Sequence, residues 1–130
     1  MNYWNAAAGV LSSVTLAVHL FAGGSEVHDP LLAAGPSVVL QTYITVLWHA
    51  VSVILAINSL VLLAAARRTE MGPWPVWLVC AQYAAYAGLF IAYGSRNLGT
   101  LMETPQWIIF LLIAGLALRG TRASRLLKPS

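Results

Sequence analysis

Residues Gln41–Arg68 read QTYITVLWHAVSVILAINSLVLLAAARR. The run is long and apolar enough to cross a bilayer, whose hydrocarbon core of about 30 Å needs about 20 helical residues. It nonetheless carries His49 beside Trp48. Hydrocarbon does not solvate a ring that can be charged, so an imidazole inside a span is a functional candidate by default. The other segments read as a wall around that position.

Composition sets the class. Of 130 residues, 59% are apolar and 8% charged, and the mean hydropathy is +0.76. A soluble domain carries about a quarter charged residues, so this chain has too few polar side chains to cover a water-facing surface. The apolar runs are continuous rather than alternating, which selects an all-α membrane bundle over a barrel. The net charge of +3 does not make nucleic acid a partner. The basic residues follow apolar runs in short clusters, with no basic face interleaved with exposed aromatics. Cys80 is the one cysteine; it gives no disulfide framework and reads as a small buried hydrophobe.

Four spans are expected in a single domain covering residues 1–130, at about 3–23, 37–66, 74–95 and 105–119. The first has no Lys or Arg before its apolar run, unlike a secretory signal, and Tyr3 and Trp4 suit an interfacial anchor. GGSEVHDPLLAAGPS, residues 23–37, carries paired glycines, Asp-Pro and Gly-Pro. These are breaker signals, so the stretch reads as a loop, with Pro36 in the first turn of the second span. SRNLGTLMETP, residues 95–105, reads as a second polar loop, with Thr104 as N-cap and Pro105 at the first helical position of a short fourth span. The tail RGTRASRLLKPS, residues 119–130, suits the lipid headgroup layer.

Charge placement gives an orientation. Arg67, Arg68, Arg119, Arg122, Arg125 and Lys128 fall on one side, and the two opposite loops hold only Arg96. By the positive-inside rule both termini are expected in the cytoplasm, with Glu26, Asp29 and Glu103 outside. Size and compactness suit a bacterial inner membrane. From Arg67 back to His49 is roughly 27 Å of helix, and from Trp4 forward to His19 roughly 22 Å. Both imidazoles are therefore expected in the outer half at matched depth, where they could meet across a helix pair.

Helical spacing supports that picture. Asn5, Ser12, Thr15 and His19 share a face that continues through Gly23 towards Glu26; Gln41, Thr45, His49, Ser52 and Ser59 share another; Gln82, Tyr86, Tyr93 and Arg96 a third. Polar stripes on spans turn inward because lipid offers them no partners. The fourth span has no such stripe and reads as packing wall.

The sharp reading is a polar pocket that opens outward. His19 and His49 would hold a metal or small ligand, and Glu26, His28 and Asp29 would be loop ligands or a gate. Gln41, Thr45, Trp48, Tyr86, Tyr93, Arg96 and Glu103 would line it, with Arg96 and Glu103 paired as a clasp. Imidazole with carboxylate suits zinc, copper or iron, and two imidazoles alone could be axial ligands of a haem. No His-x-x-x-His or Glu-x-x-His pair sits on one helix, so an organic ligand is equally open. The bland reading makes each histidine a hydrogen-bonded tie between helices.

Other roles rest on less. In size and span count the chain is similar to small multidrug-resistance exporters, which work as dimers. That family carries a glutamate in its first helix, where this chain offers only His19, so its transport function is not carried over. An accessory subunit of a larger membrane complex suits the plain fourth span. No nucleophile motif or phosphate loop appears, no catalytic residue is assigned, and an enzyme is the least favoured class.

Overall fold

The computed structural model describes residues 1–68 and 71–126, except for the side chains of residues 124–126. The side chain of Arg125, and Lys128 with the rest of the tail, lie outside the described residues, as do Thr69 and Glu70. The helices are α1 (Tyr3–Gly23), α2 (Asp29–Ala33), α3 (Val38–Arg67), α4 (Trp74–Tyr93) and α5 (Gln106–Leu126). Among the described residues, four stretches are long and apolar enough to cross a membrane: Tyr3–Ala33, Val38–Arg67, Trp74–Leu98 and Gln106–Ala123. The chain is an all-α bundle of four such spans, of the multi-pass membrane type.

The start of α1 shows how the bundle is tied. The Asn2 side-chain oxygen accepts from the backbone N–H groups of Trp4 and Asn5, each at 3.1 Å, covering two donors that a helix start leaves open. Its Nδ2 donates to Gly120 O at 2.7 Å, and its backbone N–H to Ala66 O at 2.8 Å. One residue thus fastens the beginning of α1 to the far ends of α3 and α5.

The core sits towards that end. Its buried residues include Ala8 of α1, Leu55 and Leu62 of α3, Val79 and Tyr83 of α4, and Ile113 and Ala117 of α5. A Cβ on Gly9 would stand 3.0 Å from the backbone nitrogen of Leu63, so glycine there lets two helix backbones approach closely. Three of the buried hydroxyl-bearing residues meet one another. Ser12 Oγ is hydrogen-bonded to Ser59 Oγ at 2.7 Å and to the Tyr83 hydroxyl, joining α1, α3 and α4.

Residues 24–33 are helical, which corrects the expected loop. Gly24–His28 forms a wide, π-type turn that runs directly into α2. Pro30 has no N–H to send back to Glu26, and its ring would press on that carbonyl in a regular helix. The widened turn just ahead of Pro30 relieves the clash without ending the helix. The reversal is confined to residues 34–37, where Gly35 takes φ +75°.

Smaller corrections follow. Ser37 caps α3, its Oγ accepting from Leu40 N–H at 3.4 Å, so Pro36 precedes the cap instead of occupying the first turn. Thr104 Oγ1 is buried without a partner and does not cap α5. The helix α5 continues past Arg119 to Leu126. The helix of α4 continues through a second wide turn, Gly94–Leu98, and stops at Gly99, whose φ of +66° favours glycine.

The two helical hairpins differ in length beyond the core. Counted from the Ser12–Tyr83 contact, the first helical stretch runs about six residues farther than the α4 stretch, roughly 9 Å. Its 31 residues span roughly 46 Å at 1.5 Å per residue, against a hydrocarbon core of about 30 Å. The α1–α3 hairpin is therefore longer than a hydrocarbon core is thick, and its tip extends past the end of the α4 stretch.

Candidate functional site

Below that tip, α1 and α3 bring four rings together. Trp48 continues the inward row of α3 that includes Ser52, Leu55, Ser59 and Leu62. Its indole lies over Gly23, where a Cβ would stand 3.1 Å from Trp48 Cη2. His19, one turn before Gly23, stacks on the indole with ring centroids 4.1 Å apart and planes at 20°. His28 approaches the same indole at 5.4 Å, and its ring lies 6.0 Å from that of His49.

The wide turn brings His28 to the indole. A regular helix that places His19 and Gly23 on one face would bring Glu26 round next. The extra residue in Gly24–His28 shifts the phase, so that His28 reaches Trp48 and Glu26 is exposed. Helical spacing puts Glu26 on the His19–Gly23 face; in the structure His28 takes that place and Glu26 is exposed.

Hydrogen bonds assign the nitrogens. His19 Nε2 lies 3.3 Å from Trp48 O; a carbonyl only accepts, so Nε2 carries the hydrogen and donates. His28 Nδ1 lies 3.3 Å from Asp29 Oδ1, and an ionised carboxylate likewise only accepts. In neutral His28 the lone pair is then on Nε2, which is buried with no hydrogen-bond partner. The His28 side chain is 12% exposed and that of Asp29 73%, so the ring is enclosed while its carboxylate partner meets solvent. An unpaired buried acceptor costs about 1–3 kcal/mol.

The remaining sequence candidates divide. Gln41 is half-buried and donates its side-chain N–H to Pro36 O at 3.0 Å. Thr45 is half-buried one turn from Trp48, and His49 is exposed. His19 stacks on Trp48, and the His49 ring lies against that of His28. On the other hairpin Tyr86 packs at 5.6 Å from Phe110, while Tyr93, Arg96 and Glu103 are exposed. Arg96 and Glu103 form no ion pair; among the described residues the salt bridge is His28–Asp29.

Among the described residues, no three of His, Cys, Asp and Glu converge in a way that could hold a metal ion. Two imidazoles, those of His28 and His49, do lie against each other. Imidazole nitrogen binds zinc at about 2.0–2.1 Å, so two rings sharing one such ion have centroids roughly 5–6.5 Å apart. The 6.0 Å separation falls in that range. Comparison with protein-family models, with curated proteins and with solved structures finds no match for this chain.

Proposed function

We propose that this multi-pass membrane protein binds a borderline or soft metal cation between His28 and His49, at the free end of the α1–α3 hairpin. The observation that carries the reading is His28 Nε2: buried, unpartnered, and left with the lone pair by the Asp29 contact on Nδ1. A carboxylate behind a metal-binding imidazole fixes its tautomer and raises its basicity. Two imidazoles leave other coordination positions to water or solute, or suit an ion content with two ligands such as copper(I). A bare ion fits this closely packed edge better than a haem, which needs a broad flat slot.

We place this end outside a bacterial inner membrane. Arg67, Arg68, Arg119 and Arg122 lie at the end with Asn2, and Glu26, Asp29 and Glu103 at the opposite one, the arrangement that the positive-inside rule associates with a cytoplasmic basic end. The test is titration of the purified chain with zinc, cobalt(II) and copper(I), read by competition with a chromophoric chelator. One equivalent bound, with at least a tenfold loss in His28→Ala and in His49→Ala, is expected. Acid should displace the ion, because only neutral imidazole offers a lone pair. Unchanged binding in the double variant, or no binding of any of the three ions, overturns the proposal.

A further inference from the structure

We infer that the lipid-facing side of α5, at the end of the bundle away from the histidines, is a binding site for the headgroup of an anionic phospholipid. Gly115, Leu118, Arg119 and Arg122 recur at three- and four-residue steps and so share one face of the helix. All four are exposed, and together they line a hollow of about 420 Å³. That is room for roughly a dozen water-sized groups, enough for a phosphate and its glycerol.

The chemistry of the lining is ordered along the helix. Gly115 lies deeper in the span and contributes no side chain; a Cβ there would meet nothing within 4 Å. Leu118 adds an apolar wall. The guanidiniums of Arg119 and Arg122 stand nearer the helix end, where basic side chains reach the headgroup layer. Because the hollow opens on the outside of a span, acyl chains and headgroups are what fill it in a bilayer. The apolar part suits the first acyl carbons, and two forked cations suit a phosphodiester.

One of the cations is already held in place. The Arg119 guanidinium carbon sits 4.2 Å above the Trp4 ring, so part of its conformational freedom is removed before any lipid arrives. Neither arginine has a carboxylate partner among the described residues. The described carboxylates, Glu26, Asp29 and Glu103, all lie at the other end of the bundle. Among the described residues, no carboxylate competes with an anion from the membrane for the charge on this face.

The experiment measures lipid retention by native mass spectrometry and thermal unfolding of the full chain. It is reconstituted in phosphatidylcholine alone or in an equal mixture with phosphatidylglycerol. A juxtamembrane cation near anionic lipid is worth enough for two to give roughly a thirtyfold preference. Wild type is expected to retain phosphatidylglycerol selectively and to unfold at higher temperature in the mixture. Arg119→Gln with Arg122→Gln should lose that preference. Gly115→Leu should lose most of it with both charges intact, by filling the hollow. Arg67→Gln with Arg68→Gln should keep it. Equal loss in the Arg67/Arg68 variant, an unaffected Gly115→Leu, or the same stabilisation by inorganic phosphate in phosphatidylcholine would each overturn the inference.

Discussion

Gly23 and Trp48 are fitted to each other: the indole occupies the space where any side chain at position 23 would begin, 3.1 Å from Trp48 Cη2. The fit sets the height at which His19 and His28 meet the indole on α3. Gly23→Val is expected to push Trp48 aside, at about 1–3 kcal/mol of stability. Ion binding by His28 and His49 should weaken while helix content by circular dichroism holds. Gly24→Ala is the control, since a Cβ there meets nothing within 4 Å. If both variants behave alike, the indole does not organise the cluster.

Asp29 acts on the proposed ion through His28 alone. Its carboxylate is 73% exposed and touches the ring at Nδ1. Asp29→Ala should therefore leave thermal unfolding of the apo chain nearly unchanged and weaken ion affinity about 10–100-fold, as loss of such an orienting partner does. The chelator competition used for the histidine variants measures it. Full affinity in Asp29→Ala would show that His28 needs no orienting carboxylate.

Much of the architecture was legible in the sequence, because it follows from length and hydropathy. A continuous apolar run such as 41–66 leaves the chain no structure but a helix in lipid, and Gly23 does mark the end of regular α1. The stretch 24–33 departs from its breaker signals for a definite reason. Gly-Gly and Asp-Pro are breakers in an isolated peptide, but here a wide turn absorbs Pro30 and the chain stays helical to Ala33. The same turn took Glu26 out of the predicted site and brought His28 into contact with Trp48. The available clue was Pro30 itself, whose missing hydrogen bond to Glu26 marks where a π-type turn can form. The extra length of the α1–α3 hairpin follows only once that segment is helical, which its breaker residues conceal.

Gly9 offers a test of the packing that supports the site from below. A Cβ there would lie 2.8 Å from Leu63 Cγ and Cδ2 and 3.0 Å from Leu63 N. The side chain could turn away, but the backbone nitrogen could not. Gly9→Val is expected to separate α1 from α3 and cost about 1–3 kcal/mol, the usual range for overpacking. Denaturant unfolding in detergent reads the change. Gly88→Val, on a helix face with nothing within 4 Å, should cost much less.

Ser12 and Tyr83 are both fully buried, and their hydroxyls meet between the two hairpins. Tyr83→Phe removes that contact while Ser12 keeps its bond to Ser59 at 2.7 Å. The loss should therefore be modest, about 0.5–1.7 kcal/mol, the range for hydrogen bonds between membrane helices. Ser12→Ala deletes both bonds and should cost more. In the double variant the shared bond is counted once, so the two single losses should exceed the double loss by the energy of the Ser12–Tyr83 contact. Unfolding of the four proteins in one detergent gives that coupling directly. A coupling of zero would mean that the α1–α4 contact is held by apolar packing around Tyr83, with the hydroxyls as bystanders.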